Sequence, residues 1–252
     1  MPFSRYSVRE PVYLGWQNAV ELMPGGPVKG FEVTARPAEE LTEAVNALRG
    51  AGIEPMTVAG GVKLNEEESI ASYVATLDTA RQLGIPIFFT SASGEEDHDR
   101  AMGLLRELAE EAASRGIVIS LETHLPYCEN ADKMLATMEA VGHPNLRVNF
   151  DTANIFYYNE GLDSADELER VVDFVASVHL KDTDGGFKSP QFPVLGQGVV
   201  QFERIFATLE RAGFAGPLTL ELEGPLMRGL EAPARHAAVL ECMEYLRSIG
   251  VA

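Results

Sequence analysis

The chain has 252 residues, of which 46% are hydrophobic and 23% charged, so it can bury the core of one sizeable domain. Its 38 Asp and Glu outnumber its 20 Lys and Arg, and the formal net charge of −18 argues against a nucleic acid or an anionic membrane surface as a partner. Two cysteines are too few for a disulfide framework, and neither a signal peptide nor a membrane-spanning run is visible, so we expect a cytoplasmic protein.

Short apolar runs rich in β-branched and aromatic residues alternate with longer amphipathic segments. In chain order the predicted strands are YLGW (13–16, the weakest), FEVTA (31–35), EPMTVA (54–59), IPIFFTSA (85–92), IVISLETH (117–124), LRVNFDTA (146–153), VASVHLKD (175–182) and PLTLELEG (217–224). This alternation predicts parallel strands covered by helices. Eight units in about 250 residues favour an α/β fold closed into a (β/α)₈ TIM barrel over an open doubly wound sheet.

Helix-like segments lie between the predicted strands. They include residues 38–52, 69–84, 97–116, 164–176 and 202–214. Gly84 and Gly116 stand where a glycine commonly ends a helix. No linker interrupts the pattern, so we expect one domain over residues 1–252. The long aperiodic region 182–199 follows a strand, where the active-site loops of a barrel lie.

Four consecutive predicted strands end in a residue that can bind a metal ion. These residues are Glu122, Asp151, His179 and Glu221. The C-terminal ends of barrel strands converge on one mouth, where three carboxylates and an imidazole need a counter-charge. One divalent cation supplies it. Oxygen-rich ligation with one histidine suits Mn²⁺ first, with Mg²⁺, Co²⁺, Fe²⁺ or Zn²⁺ as alternatives.

Two of these residues also have a purely structural interpretation. Asp151 precedes Thr-Ala-Asn and could cap the next helix. His179 could be a buried histidine with satisfied hydrogen bonds. Four residues in register, one per strand, are less easily explained in this way, so the pattern favours a metal site.

The runs ISLETH, NFDTAN, VHLKD and GFAGPLTLE resemble the xylose isomerase-like barrels of the sugar phosphate isomerase/epimerase superfamily. That superfamily includes ketose 3-epimerases, hydroxypyruvate isomerase and inosose dehydratase. The resemblance extends from about Phe31 onward. It implies that the four strand-end residues are the metal ligands of a sugar isomerase or epimerase.

By the same resemblance, Glu122 and Glu221 stand on opposite faces of the substrate and exchange a proton with carbon through an enediolate. Asp151 and His179 then hold the metal only. Elementary chemistry supports this mechanism, because a metal chelated by a carbonyl and the neighbouring hydroxyl acidifies the C–H bond between them. In the last strand Glu221 is preferred over Glu223 because of its spacing from Gly216, although both face the same side by strand parity.

Four more residues are candidates for substrate binding. His124 follows a ligand strand and can reach a substrate hydroxyl, or it is an ordinary loop histidine. Asn154 stands where many of these epimerases have the histidine of a D-x-x-H motif. Lys181 reaches the substrate or pairs with Asp182. Trp16 forms a wall for a sugar ring or is a core or interface residue.

The expected substrate is a small, unphosphorylated sugar or polyol derivative. The chain has only five lysines, and LGQG (195–198) lacks the spacing of a phosphate-binding loop. Family barrels commonly pair, so the resemblance also implies a homo-oligomer.

Three alternatives accompany this interpretation. A dehydratase of the same superfamily would use the same ligands and then lose a β-hydroxyl. A non-catalytic binding or regulatory barrel would keep only the scaffold. A DNA repair enzyme like endonuclease IV would need several more histidines and a basic surface, which five histidines and a charge of −18 do not provide.

Overall fold

Eight parallel strands close into a barrel in the computed structural model, which describes residues 3–252. The strands are β1 (Tyr6–Arg9), β2 (Gly30–Thr34), β3 (Glu54–Lys63), β4 (Ile87–Ser93), β5 (Val118–Glu122), β6 (Leu146–Asp151), β7 (Val175–Leu180) and β8 (Leu218–Leu220). Each strand pairs with the next along the chain, and β8 pairs with β1. The prediction of a single-domain (β/α)₈ TIM barrel is confirmed.

Helices follow the strands around the barrel. They are α1 (Trp16–Leu22), α2 (Ala38–Gly50), α3 (Glu67–Gln82), α4 (His98–Ser114), α5 (Ala131–Val141), α6 (Asn154–Tyr158), α7 (Ser164–Val171), α8 (Phe202–Arg211) and α9 (Ala232–Ser248), with short 3₁₀ turns at Glu10–Tyr13, Val172–Phe174 and Gly224–Leu226. Gly84 and Gly116 follow the ends of α3 and α4 at φ of +68° and +70°, as predicted. None of the helices within residues 3–252 has the length and apolar character that a bilayer span requires.

The first strand is not where the sequence predicted it. YLGW (13–16) spans the end of a 3₁₀ turn and the start of α1, while β1 lies upstream at Tyr6–Arg9. Pro11 favours the turn, and Leu14 and Gly15 then adopt positive φ angles, which a strand does not permit. β1 escaped prediction because it has only four residues, two of them polar.

Strand alternation places polar side chains inside the barrel and apolar ones against the helices. In the interior, Ser7 and Thr219 are joined by a hydrogen bond of 2.6 Å, and Ser120 and Ser177 by one of 2.7 Å. Asn149 donates to Ser177 at 2.7 Å. The residues two positions further along these strands point the same way. They form the next layer, at the C-terminal mouth: Arg9, Glu122, Asp151, His179 and Glu221.

Candidate metal centre

Asp151, His179 and Glu221 meet at the C-terminal ends of β6, β7 and β8. Asp151 pairs in register with His179 across the two strands, and Glu221 directly follows β8. Each offers one ligand atom, and these atoms all lie within 4.8 Å of one another. All three residues are buried. The barrel register therefore gathers three of the four predicted ligands.

The facing atoms of these side chains lack hydrogen-bond partners among the described residues. Oδ2 of Asp151, Nδ1 of His179 and Oε2 of Glu221 are all buried and unsatisfied. Nδ1 lies 2.7 Å from Oε2 of Glu221, without the alignment of a hydrogen bond. Buried polar atoms are normally satisfied, so three unsatisfied atoms converging on one point fit the donor set of a divalent cation.

Asp151 also performs the structural role that the sequence left open. Its second oxygen, Oδ1, accepts the backbone N–H groups of Ala153 and Asn154 at 2.8 and 2.9 Å. The carboxylate thus caps the chain entering α6 with one oxygen and turns the other towards the cluster. The two interpretations of Asp151 are compatible.

Glu122 ends β5 beside this group and is half-buried. Its Oε2 contacts Oγ of Ser91, and its side chain lines the cavity above the cluster. Glu122 is not part of the three-residue group. Glu223, the alternative to Glu221, is also outside the group: its side chain is 47% exposed, and its Oε1 lies 2.8 Å from Nζ of Lys181.

Two cations compensate the buried acids. Nζ of Lys181 lies 3.0 Å from Oδ2 of Asp151 and 3.7 Å from Oε2 of Glu221. Nη1 of Arg9 contacts Oε1 of Glu221. Burial would raise the pKa of Glu221, but Arg9, Lys181 and His179 together hold it well below its usual range. Glu221 is therefore held ionised in spite of its burial.

The other two members of the group have raised pKa values. Burial raises the pKa of Asp151 to about 6, although the charge of Lys181 opposes the shift. Burial would lower the pKa of His179, but the carboxylates of Glu32 and Glu221 prevail and raise it to about 10. A cation that binds at Nδ1 of His179 at neutral pH therefore displaces a proton.

Sequence reasoning missed Arg9 and Glu32. Glu32 is fully buried on β2, with Oε2 3.2 Å from Nε2 of His179 and Oε1 2.9 Å from Nε of Arg9. A signal was present, because an acid in the middle of the apolar run FEVTA (31–35) needs a partner if that run is buried. For Arg9 there was no signal, because its strand was not predicted.

A cavity of about 370 Å³ opens above the cluster. Its lining includes three of the four predicted substrate-binding residues: His124, Asn154 and Lys181. Trp16 is not among the described residues that line it. Trp16 begins α1 and packs, partly buried, against the hydrophobic core, which agrees with the alternative given for it.

The proposed pairing of Lys181 with Asp182 is wrong. Asp182 is fully buried and accepts four backbone N–H groups, from Thr183, Gly196, Gly198 and Val200, at 2.9 to 3.1 Å. Lys181 instead points into the barrel, since neighbouring strand residues face opposite sides. The carboxylate of Asp182 holds together the two ends of the long loop that follows β7.

That loop forms one wall of the cavity. It contributes Pro190 and Phe192, and the ring of Phe192 lies 4.8 Å from Nζ of Lys181. Tyr157 and Tyr158, on α6, line the cavity as well. The cavity thus combines aromatic walls with a charged floor.

Known proteins are similar to this chain in sequence. A family model described as a xylose isomerase-like TIM barrel matches residues 17–249. UlaE of Escherichia coli, an L-ribulose-5-phosphate 3-epimerase, is 29% identical over 141 residues, which cover 55% of this chain and 48% of UlaE. The chain thus spans about half the length of the curated relatives it matches.

Solved structures share the whole fold. The xylose isomerase domain protein from Planctomyces limnophilus is similar with a TM-score of 0.82 and 24% identity, over 98% of both chains. D-allulose 3-epimerase from Methylomonas sp. is similar with a TM-score of 0.75 and 16% identity, over 99% of both chains. At these identities the similarity establishes the fold.

Proposed function

The chain belongs to the xylose isomerase-like TIM barrel family, and we propose that it is a divalent-metal-dependent isomerase or epimerase of a small, unphosphorylated sugar or polyol derivative. One observation carries this proposal: three buried, unsatisfied ligand atoms, of Asp151, His179 and Glu221, converge beneath an open cavity. The similarity to UlaE, an L-ribulose-5-phosphate 3-epimerase, supports the reaction class.

We propose Glu122 as the fourth metal ligand, beside the three residues of the group. It borders the same cavity, and the only hydrogen-bond partner of its side chain among the described residues is Ser91, a neutral hydroxyl. Mn²⁺ is the first candidate for the ion, with Mg²⁺, Co²⁺, Fe²⁺ or Zn²⁺ as alternatives. When bound, such an ion acidifies a C–H bond next to a carbonyl that it polarises.

Glu122 and Glu221 are the proposed proton carriers. They come from β5 and β8 and both border the cavity, so a substrate between them offers each carboxylate a different side. One carboxylate removes a proton from carbon and later releases it to solvent, while the other takes up a proton from solvent and returns it to the opposite side of that carbon. Asp151 and His179 would bind the ion without moving a proton at carbon, because they lie beneath the cavity and do not line it.

The charges around the cavity favour a neutral substrate. Five carboxylates, those of Glu32, Glu122, Asp151, Glu221 and Glu223, face the two cations Arg9 and Lys181, which leaves a net charge of −3 when His179 has given up its proton to bind the ion. With neutral His179, a divalent ion reduces this to −1. Arg9 and Lys181 are already paired with carboxylates, so neither is free for a phosphate group. The rings of Tyr157, Tyr158 and Phe192 offer apolar faces to the C–H groups of a sugar.

Hydrogen exchange in D₂O tests the proposal. The metal content of purified protein is measured first, and the protein is then incubated with L-ribulose and, separately, with L-ribulose 5-phosphate. We expect about one divalent ion per chain and deuterium at a carbon next to the carbonyl of the unphosphorylated ketose. Exchange with the phosphate ester alone would contradict the substrate class, and an unsaturated product absorbing in the ultraviolet would identify a dehydratase.

A variant of Glu122 tests its proposed role as a proton carrier. Glu122→Gln should slow exchange by about 10²–10⁴-fold, the usual contribution of a general base. Glu160→Gln, which changes an exposed acid beyond α6, should leave the rate unchanged. Equal rates for wild type and Glu122→Gln would remove Glu122 from the mechanism.

A further inference from the structure

We propose that Glu32 is a positioning residue of the metal centre: it accepts the Nε2–H of His179, keeps Nδ1 free for the ion, and has Arg9 as its counter-ion. This inference rests on the proposed function in one respect, the binding of a divalent ion at Asp151, His179 and Glu221. Neither the family resemblance nor the spacing of the strand-end residues pointed to Glu32.

The hydrogen-bond chemistry of the imidazole ring carries the inference. Nε2 of His179 lies 3.2 Å from Oε2 of Glu32, and both side chains are completely buried. An ionised carboxylate can only accept a hydrogen bond, so Nε2 must be the protonated nitrogen. In a neutral ring the lone pair is then on Nδ1, the nitrogen that has no hydrogen-bond partner within residues 3–252 and faces Glu221.

Two neighbouring side chains favour the ionised form of Glu32 inside the barrel. Nε of Arg9 lies 2.9 Å from Oε1, and the hydroxyl of Thr57 donates to Oε2 at 2.9 Å. Without the guanidinium, a completely buried acid would be costly to ionise. A protonated Glu32 could donate to the ring and so select the other tautomer.

Arg9 connects Glu32 to a second proposed ligand. Its Nη1 contacts Oε1 of Glu221, which leaves Oε2 of Glu221 turned towards His179. The guanidinium lies 5.0 Å from the centre of the Phe89 ring, which covers it. One network of side chains, from β1, β2, β7 and the end of β8, therefore orients two proposed ligands. Such outer partners of metal-binding histidines typically change metal affinity by 10- to 100-fold when they are replaced.

The tautomer of His179 is directly measurable in the wild-type protein. In protein loaded with Zn²⁺ and labelled with ¹⁵N at histidine, NMR should show His179 protonated at Nε2 and metal-bound at Nδ1. A ring protonated at Nδ1 and bound through Nε2 would overturn the inference. This measurement requires no variant to fold.

Metal affinity tests the role of Glu32. Glu32→Gln keeps the size of the side chain but removes the charge, and its amide can turn its NH₂ group to Nε2. We expect Zn²⁺ affinity, measured by calorimetry, to fall by about 10- to 100-fold. Thr219→Val is the matched control, because it removes a buried hydrogen bond, to Ser7, on the strand next to His179 without changing a hydrogen-bond partner of the imidazole ring. Its affinity should stay within about threefold of wild type.

The outcomes separate this inference from the proposed function. If wild type binds Zn²⁺ and Glu32→Gln binds it equally well, Glu32 has no positioning role and the proposed metal centre stands. Equal losses in Glu32→Gln and Thr219→Val would also overturn the inference, because general loosening of the barrel would then explain both. If wild type binds no divalent ion, the proposed function fails and the inference fails with it.

Discussion

The ammonium of Lys181 lies 3.0 Å from Oδ2 of Asp151, and both side chains are shielded from solvent. Oδ2 is one of the three unsatisfied atoms of the cluster, so a fixed positive charge stands beside a proposed metal ligand. Lys181 also lies 3.7 Å from Oε2 of Glu221. In the metal-free protein Lys181 therefore supplies part of the counter-charge that a bound ion would supply.

Replacing Lys181 with Met should destabilise the metal-free protein more than the metal-loaded protein. Removing one partner of a buried ion pair typically costs about 3–5 kcal/mol, and a divalent ion at the same carboxylates would offset part of that cost. Thermal unfolding with and without Mn²⁺ measures both states. Lys188→Met, an exposed change on the following loop, should affect neither. Equal destabilisation of the metal-free and the metal-loaded protein would show that a bound ion does not offset the lost charge of Lys181.

Asp151→Asn should separate metal binding from folding. The amide keeps an oxygen for the backbone N–H groups of Ala153 and Asn154, so the cap on α6 can persist. It loses the anionic Oδ2, and we expect metal affinity to fall by more than about 100-fold, beyond the range for outer partners of a site. Calorimetry measures the affinity, and circular dichroism checks the fold. Full metal affinity in this variant would remove Asp151 from the ligand set.

The candidate ligands could be predicted from the sequence because each stands at the end of a clear apolar run. Asp151, His179 and Glu221 each follow an apolar run, and the barrel brings such positions to one mouth. Glu122 fits the same pattern, but whether its side chain turns to the ion depends on rotamers that spacing does not specify. Three of the four predicted ligands form the observed group, because strand periodicity predicts both where each strand ends and which way its last residue faces.

The rest of the site depends on contacts between distant segments. Glu32 meets His179, and Arg9 meets Glu221, only because the barrel closes between β8 and β1. Asp182 contacts Gly198 across a loop that has no periodicity to read. α9 (Ala232–Ser248) was missed because its apolar residues do not form a single clear stripe.

Asp182→Asn should destabilise the loop that forms one wall of the cavity. An amide oxygen cannot replace a carboxylate that accepts four backbone N–H groups, and we expect a loss of about 3 kcal/mol in unfolding free energy. Since the loop carries Phe192, KM should rise more than kcat falls. Asp184→Asn is the control: this exposed acid on the same loop accepts from the backbone of Gly186 and the hydroxyl of Ser189. Equal effects on stability would indicate that burial of Asp182 is unimportant.

His236 should make stability depend on pH below neutrality. Its Nδ1 lies 2.7 Å from the hydroxyl of Tyr13, and burial lowers the pKa of its ring. The unfolded chain then binds a proton more readily than the folded chain, so stability falls as the pH drops below the ordinary histidine pKa of about 6.5. Urea unfolding at pH 7 and pH 5 should show wild type losing stability relative to His236→Gln. A pH-independent difference between the two proteins would contradict this.

Two glycine substitutions should have opposite effects on stability. A Cβ on Gly198 would overlap the backbone oxygen of Thr183 and the carboxylate of Asp182, neither of which can move without breaking the loop. Gly198→Ala should therefore cost about 1–3 kcal/mol.

Gly103 lies exposed within α4, and a Cβ there meets no described atom within 4 Å. Because alanine favours a helix interior over glycine, Gly103→Ala should add about 0.5–1 kcal/mol. Chemical denaturation of both variants measures the difference, and a stable Gly198→Ala would mean that the loop can open at Asp182 without cost.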